Sequence, residues 1–251
     1  MTAVMFVLLI MLLILVNSSK MSEPFTSSNK VPKTLVMTYH SKNKIPPKVY
    51  KNIEKYAPNF RLIIYNNTEV VKFLKMYYPE KVVQAFYQLQ GAHKADLFRY
   101  CYLNKYGGFY IDVKTELIKN VDDMFNLNNK DIDLYTVLSK NNGMIHQGII
   151  ASVPNNPIFT DLIEFMVHVK KPVLARDYFT FTRHFYNLLS NNNSITLRPG
   201  NIINYKHKKV YLYKEFCTKN PSDCYDGLDR RNFCCFIYDK VIKTRYSDYP
   251  F

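Results

Sequence analysis

The sequence predicts an α/β fold with a mixed, mostly parallel central sheet. Short apolar runs of strand character alternate along the chain with segments in which apolar residues recur at helical spacing. The chain has 251 residues, which is enough to bury one substantial core. We therefore expect one domain over residues 31–251, in which the region from about residue 191 onward forms a C-terminal subdomain.

The predicted elements follow one another in order. Thr34 to Thr38 is the first strand, and Ile45 with two prolines after it opens a helix that runs to about Tyr56. Ligands of such sheets bind where strands end, which here includes the position of Tyr39. The later elements are a strand at 60–65, a helix at 69–78, a long helix from Val82 to Tyr106, a strand after Gly108, strands at 134–138 and 145–152, and a helix at 158–169.

Residues 91–120 are the most informative stretch. The long helix contains no proline, so Asp96 and Arg99, three residues apart, lie on one face of it. Gly107 stands where a left-handed glycine ends a helix. Beyond it the period becomes two, which predicts a strand with alternating faces. The side chains expected in the core are Phe109, Ile111 and Val113, and those expected to face a cleft are Tyr110, Asp112 and Lys114.

The motifs of this stretch resemble those of the glycosyltransferase 32 type of DXD sugar transferases. That group includes initiating α-mannosyltransferases of yeast and enzymes of capsular polysaccharide synthesis. Its pattern is A-x-x-S/A-D-x-x-R-Y, then Y-G-G-x-Y-x-D-x-D; here residues 92–100 read AHKADLFRY and residues 106–114 read YGGFYIDVK. Residues 31–39 resemble the family's opening strand, with Tyr39 at its tryptophan position. Residues 145–151 and the prolines after them resemble a later strand, so the likeness covers roughly Val31 to Phe165.

The resemblance implies a single GT-A-like nucleotide-sugar-binding domain. It implies transfer of a hexose from a nucleotide diphosphate sugar to a hydroxyl of a glycan or lipid acceptor, with retention of anomeric configuration. Asp96 and Arg99 would hold sugar hydroxyls, and Asp112 would contact the ribose or sugar and a divalent cation, Mn²⁺ or Mg²⁺. The other residues expected at the donor are Thr38 and Tyr39, with Tyr39 stacked on the base, then Tyr110, His146 and Gln147.

Lys114 is the one clear departure from the family pattern. It occupies the position of the second motif aspartate, the usual metal ligand, and a protonated lysine cannot bind a cation. Either other groups hold the metal, or the ammonium replaces part of its charge, or the protein is catalytically weak. Asp131 and Asp133 also spell D-x-D, but no glycine pair precedes them, and we interpret them as the entry to a strand.

Two other classes of function stay open. One is a membrane-anchored, catalytically weak relative that binds a sugar nucleotide or a glycan. The other is a glycoside hydrolase, which would need two carboxyl groups about 5–10 Å apart across a sugar. Simple alternatives also exist for single residues, since Tyr39 is as well explained as a core tyrosine.

The charge of the chain indicates anionic partners. Lysine and arginine number 34 against 20 acidic residues, which gives a net charge of +14. Such a field attracts a sugar nucleotide or anionic lipid headgroups. The basic residues are scattered rather than gathered in one block, so no nucleic-acid partner is expected.

The start of the chain predicts a membrane anchor. Residues 3–16 are an unbroken apolar run, short for a full span, without a convincing cleavage site after it. We expect a signal anchor at residues 1–20, a stem at 21–30 and a single-pass type II protein with its domain in the lumen of the endoplasmic reticulum or Golgi; a secreted form is the weaker alternative. Sequons at Asn66 and Asn192 and four late cysteines, expected to form disulfides, favour that placement, whereas Cys101 is expected to be a buried free thiol.

Overall fold

The computed structural model describes residues 30–139, 143–191, 194–218, 234–237 and 242–243. Its helices are α1 (Pro47–Tyr56), α2 (Asn67–Tyr77), α3 (Glu80–Gln88), α4 (Ala92–Tyr106), α5 (Val121–Met124), α6 (Pro157–His168), α7 (Lys171–Arg176) and α8 (Thr180–Asn191), with a 3₁₀ turn at Lys42–Lys44. Its strands are β1 (Thr34–Thr38), β2 (Arg61–Tyr65), β3 (Gly108–Ile111), β4 (Glu116–Leu117), β5 (Leu134–Leu138), β6 (Ile145–Ser152), β7 (Ile202–Tyr205), β8 (Lys208–Thr218), β9 (Cys234–Ile237) and β10 (Ile242–Lys243).

The central sheet has the strand order β2-β1-β3-β6-β5-β8, and β7 pairs with β8. β1 is parallel to β2 and β3, and β5 is parallel to β8. β6 runs antiparallel to both of its neighbours, so β5 points in the same direction as β3. Five of these seven strands therefore share one direction, which confirms the prediction of a mixed, mostly parallel sheet.

Apolar side chains cover both faces of the sheet. On one face, α4 and α6 pack with Val36 and Tyr110 of the strands, and on the other α1 packs with Leu35 and Phe109. Alternate residues of β1 and β3 thus enter different cores, as the two-residue period predicts. The first core also buries Cys101, a free thiol in the middle of α4, as expected.

The long helix predicted for Val82 to Tyr106 is in fact two helices. α3 ends at Gln88, and α4 begins after Gly91, whose φ of 50° and ψ of −128° turn the chain between them. Helical periodicity continues on both sides of the break, so the apolar pattern alone conceals it. The prediction missed α7 and α8 altogether.

Part of the segment after about residue 191, where we expect a C-terminal subdomain, contributes to the central sheet. β8 pairs with β5 over residues 210–214, and its last residues, 215–218, continue into a smaller sheet through β9, β10 and β4. Asp133 fixes the start of β5 to β8 because it accepts hydrogen bonds from Lys208 Nζ at 2.9 Å and Lys209 N at 2.8 Å. The second D-x-D is therefore the strand entry that we expected.

Several predictions concern residues outside this description. The apolar run, the stem and the second sequon lie there, as do the side chains of the four late cysteines. Within the part of the chain that the structure describes, every helix is too short or too polar to cross a bilayer. Asn66, of the first sequon, caps α2 and accepts a hydrogen bond from Glu69 N at 2.9 Å.

The glycine pair after α4 permits the chain to turn directly into β3. Gly107 has a φ of 64°, and a Cβ there would lie 2.6 Å from Ser152 O. Gly108 has a φ of 108°, and a Cβ there would lie 2.8 Å from Thr34 O. Both positions combine a backbone conformation that favours glycine with a close approach to neighbouring backbone. The two glycines thereby set where β3 begins.

We predict that Gly107→Ala destabilises the protein far more than Gly200→Ala. Gly200 also has a positive φ, 82°, but nothing lies within 4 Å of its Cβ position. The control should lose about 1 kcal/mol from left-handed strain, whereas Gly107→Ala should lose about 3 kcal/mol or more because the backbone of β6 must also move. Urea denaturation measures both free energies of unfolding, and equal losses would contradict the role of close packing at Gly107.

Candidate active site

A buried arginine joins two carboxylates at the end of β3. Arg99, on α4, is 3% exposed, and its Nη2 lies 3.2 Å from Asp96 Oδ1 and 3.2 Å from Asp112 Oδ1. Its guanidinium carbon lies 4.6 Å from the centroid of the Tyr110 ring. The cluster thus connects a helix with the strand that follows it, through ion pairs and a cation–π contact.

Local structure brings these groups together. Asp96 and Arg99 are one turn apart on α4, so their side chains meet on one face. Asp112 is the first residue after β3; its N–H donates to Gly148 O at 2.8 Å, and its carbonyl accepts from Thr115 N at 2.8 Å. The backbone of Asp112 is therefore fixed between β6 and a turn, with its side chain directed to Arg99.

The two acids differ in their electrostatics. Burial raises the pKa of Asp96 to about 6, although Arg99 and His93 oppose the shift. Burial also acts to raise the pKa of Asp112, but Arg99, Lys114 and His146 together with the Tyr110 hydroxyl outweigh it, and the pKa is lowered. Asp112 is therefore ionised at neutral pH. As the pH falls, Asp96 takes up a proton before Asp112 does.

Gly148 provides space for the second oxygen of Asp112. A Cβ at Gly148 would lie 2.8 Å from Asp112 Oδ2 and 2.9 Å from His146 Nε2, so both atoms face the same small space. On the far side of the imidazole, His146 Nδ1 lies 3.5 Å from Glu215 Oε1. Ser139 Oγ donates to Glu215 Oε2 at 2.7 Å. Glu215, on β8, thereby orients His146 toward Asp112.

Gln147 and Thr136 have polar atoms without partners. Gln147 is 4% exposed, and neither its Oε1 nor its Nε2 makes a hydrogen bond to the residues that the structure describes. The Thr136 hydroxyl is in the same situation. Both lie where the β5–β6 register shifts, between the pairs Tyr135–Ala151 and Val137–His146. Unsatisfied buried polar groups are costly in a native protein and indicate a place for ligand or water.

A cavity of about 470 Å³ lies at the carboxyl end of β1. Thr38 and Tyr39 line one side of it, and Gly91 with the α4 residues Ala92, Lys94 and Ala95 lines another. Thr38 Oγ1 donates a hydrogen bond to Tyr65 O at 3.0 Å. The Tyr39 ring packs on the His40 ring with their centroids 4.3 Å apart. Because α4 carries both Ala95 and Asp96, the cavity adjoins the cluster of Arg99.

Three predicted positions differ in detail from expectation. Arg99, expected to hold sugar hydroxyls, is buried, because its guanidinium is enclosed by the two acids and Tyr110. Tyr110 is fully buried too, and its hydroxyl donates to Asp112 Oδ1 at 3.1 Å. β3 ends at Ile111, so Lys114 lies in an exposed turn and not on the strand face.

The described residues make a poor site for a divalent cation. They contain no group of three or more potential ligands among histidine, cysteine, aspartate and glutamate. Around Asp112, Oδ1 is bound to Arg99 and Tyr110, and only Oδ2, beside His146, is directed elsewhere. Arg99 and Lys114 also repel a cation at that place, and the described residues supply few ligands for one.

Sequence reasoning missed Gly148, Glu215 and Ser139. Gly148 is found only when β6 is known to lie beside Asp112, since a glycine within a strand indicates a close approach without saying to what. Glu215 reaches His146 only through the parallel pairing of β5 with β8, which joins residues far apart in the chain.

Comparison with known proteins shows that this region is similar to glycosyltransferases. Residues 46–143 match the family model described as the glycosyltransferase sugar-binding region containing DXD motif. The chain is 26% identical over 144 residues to the mannosyl phosphorylinositol ceramide synthase CSH1 of Saccharomyces cerevisiae, covering 56% of this chain and 36% of that protein. It is 28% identical over 123 residues to the glycosyltransferase L373 of Acanthamoeba polyphaga mimivirus, covering 47% of each. The chain thus spans less than half the length of these curated relatives.

Among solved structures, the PaToxG glycosyltransferase superimposes with a TM-score of 0.47 and 15% identity, over 65% of this chain and 70% of that one. The family model and the curated relatives support a glycosyltransferase-like domain.

We predict that Asp96→Asn changes how stability depends on pH. A pKa raised from 3.8 to about 6 means that the folded state binds the proton more tightly than the unfolded chain. The resulting stability is present below pH 3.8 and is lost as the pH rises through about 6. Asparagine does not titrate, so the Tm of the variant relative to wild type should rise by about 2 °C or more between pH 4 and pH 7.5.

Thermal denaturation of both proteins across this range measures the difference. Histidines and Asp112 titrate in both proteins and largely cancel in the comparison. A constant Tm difference would mean that Asp96 keeps an ordinary pKa.

Proposed function

We propose that the protein transfers a hexose from a nucleotide diphosphate sugar to a hydroxyl of an acceptor, with retention of configuration. The observation that carries the proposal is the Arg99 cluster, which places Asp96 and Asp112 side by side at the carboxyl end of β3. Ligands of mostly parallel sheets bind at such strand ends. Retention rests on the family resemblance alone.

The cavity beside Tyr39 suits the nucleotide. Its apolar side chains, Phe86 and Leu89, and the Tyr39 ring offer surfaces for a base. The first turn of α4 and Lys94 border the same space and favour negative charge. These features support a GT-A-like mode of donor binding, in which the nucleotide lies at the end of β1 and the sugar lies toward Asp112.

The chemical requirement of the transfer is charge stabilisation. The bond from the anomeric carbon to the phosphate oxygen breaks, the acceptor oxygen bonds to the same carbon, and the hydroxyl proton passes to the departing diphosphate. Negative charge builds on that leaving group and needs preorganised cations. We propose that Lys114 supplies part of the charge that a divalent metal provides elsewhere, since its exposed ammonium is close enough to lower the pKa of Asp112.

The orientation of Asp112 is the second requirement. Arg99 and Tyr110 hold one carboxylate oxygen, which leaves Oδ2 directed toward His146 and available to a sugar or ribose hydroxyl. Arg99 then acts as a positioning residue rather than as a ligand of the sugar. The buried amide of Gln147 lies in the strand between His146 and Gly148 and is a further candidate for donor binding.

We further propose a mannosyl donor and a lipid acceptor with an anionic headgroup. The support is the name of the yeast relative, a mannosyl phosphorylinositol ceramide synthase, together with the net charge of +14 on this chain. The N-terminal apolar run agrees with work at a membrane surface, with the domain on the lumenal side. The alternative is a membrane-anchored, weakly catalytic relative that binds donor or glycan, and the presence of Lys114 is the observation in its favour.

A donor panel tests the proposed function. We predict that GDP-mannose raises the Tm of the full-length protein more than UDP-hexoses or free mannose do. At 100 times its dissociation constant, a donor should add about 2.7 kcal/mol to the free energy of unfolding. The same samples, given phosphoinositol ceramide, should release GDP in step with transfer. Binding without release would leave the weakly catalytic relative, and no shift with any donor would contradict the proposal.

We predict that wild-type activity persists in a chelator and depends on Lys114. If the ammonium replaces metal charge, Lys114→Ala should lose about 10²-fold in rate, as happens when one preorganised charge-stabilising group is removed. Lys114→Asp should recover activity only when manganese is added. Lys119→Ala, which removes another exposed lysine, is the matched control and should be nearly silent.

The assay compares these proteins with and without chelator. Loss of wild-type activity in chelator, together with a nearly silent Lys114→Ala, would show that a metal bound by other groups stabilises the leaving group. That result would overturn the proposal that Lys114 replaces metal charge.

A further inference from the structure

Two exposed aromatic side chains stand next to each other between α7 and α8. Tyr178 is 59% exposed and Phe179 is 42% exposed, and their rings lie edge to face at 5.3 Å. Adjacent exposed aromatics leave considerable apolar surface in water, which in soluble domains often marks a contact with a ligand or partner. They lie beyond residues 46–143, the range of the family match.

The loop that carries them is held rigidly. Asp177 accepts a hydrogen bond from Phe179 N at 3.0 Å and binds Arg183 through two contacts, at 2.9 Å and 3.1 Å. The Thr180 hydroxyl donates to Asp177 O at 2.7 Å. Aromatic side chains on an ordered loop bind a ligand with little further loss of conformational entropy. We name residues 177–180 the aromatic loop.

His93 connects the aromatic loop to the Arg99 cluster. It lies in the first turn of α4, three residues before Asp96, and is 8% exposed. Its Nε2 lies 3.0 Å from Tyr178 O, and its ring lies 5.0 Å from the Tyr178 ring at an angle of 33°. Phe181 closes the other side of His93, edge-on at 4.9 Å. The imidazole therefore fixes the position of Tyr178 relative to the helix that carries Asp96.

Tyr178 lies beside the part of α4 that carries Asp96, because it contacts His93, and His93 and Asp96 are three residues apart on one face of the helix. Arg99 in turn joins Asp96 to Asp112. The pKa of Tyr178 is raised, first by partial burial and then by the negative charges of these two acids. This combination suits a six-membered polyhydroxylated ring, because the C–H groups on the faces of such a ring pack on an aromatic surface while its hydroxyls donate to carboxylates.

We propose that Tyr178 is a specificity-determining residue that stacks on the six-membered ring of the acceptor, either inositol or a hexose. The proposal rests on the proposed function and deepens it, because it assigns the acceptor a place on the aromatic loop opposite the nucleotide cavity. Phe179 widens the platform, and His93 is a positioning residue that acts through Tyr178.

The test compares Tyr178→Ala and Tyr178→Phe in the full-length protein. Loss of the ring should raise the acceptor KM about tenfold, which corresponds to the approximately 1.4 kcal/mol expected for an aromatic contact. The phenylalanine variant should stay within about threefold of wild type, since it keeps the stacking surface. Tyr50→Ala removes an exposed tyrosine of α1 and is the matched control.

Direct binding separates this proposal from the proposed function. Titration calorimetry with inositol 1-phosphate and with methyl α-mannoside, in the presence of donor nucleotide, measures affinity for the ring without requiring catalysis. Weaker binding of either compound to Tyr178→Ala, with Tyr50→Ala unaffected, supports the platform, and the compound affected identifies the ring. If affinity and acceptor KM both stay at wild-type values, or if donor affinity falls instead, the platform is overturned. Binding that depends on Tyr178 in a protein that transfers nothing would leave the platform standing and refute the transferase.

Discussion

The arrangement of the site depends on the charge of Arg99. A guanidinium buried between a helix and a sheet needs anions close by, and Asp96 and Asp112 provide them from two different elements. Removing one partner of a buried ion pair typically costs about 3–5 kcal/mol, because it leaves an uncompensated charge. The same contacts that align the carboxylates thus tie α4 to the end of β3. A change at Arg99 therefore affects both the alignment of the two carboxylates and the stability of the fold. For this role the burial of its guanidinium matters more than access to the cleft.

The surroundings of the cluster follow from close backbone approach. The two glycines after α4 place β3 against β1 and β6, and Gly148 lets β6 pass beside the Asp112 carboxylate. Glu215, on β8, then orients His146, and His93 fixes the aromatic loop from the first turn of α4. Each functional group is thus held by a second group from a different element. A site of this kind is assembled by the sheet as a whole rather than by one motif.

Local sequence patterns predict many elements of the fold, but they do not predict contacts between segments that are far apart in the chain. Three strands, at 34–38, 134–138 and 145–152, agree in their limits with the structure because each is a short apolar run between turn residues. The helix break at Gly91 escaped prediction because periodicity records the faces of a helix and not the direction of its axis. The spacing of the motif predicts that Asp96, Arg99 and Asp112 lie close together, but the burial of Arg99 depends on how α4 packs. Glu215 and Tyr178 become neighbours of the site only through tertiary structure.

The position of β8 in the sheet has a consequence for synthesis of the protein. β1 pairs with β2 and with β3 within the first 111 residues, and the acidic partners of Arg99 are both present by residue 112. β5 must wait for β8, since Leu134 pairs with Val210. A nascent chain emerging N-terminus first can therefore assemble the acidic cluster while one edge of β5 is still unpaired. During that interval the unpaired edge of β5 is open to pairing with another chain. The contact that orients His146 forms only after residue 215 has been added.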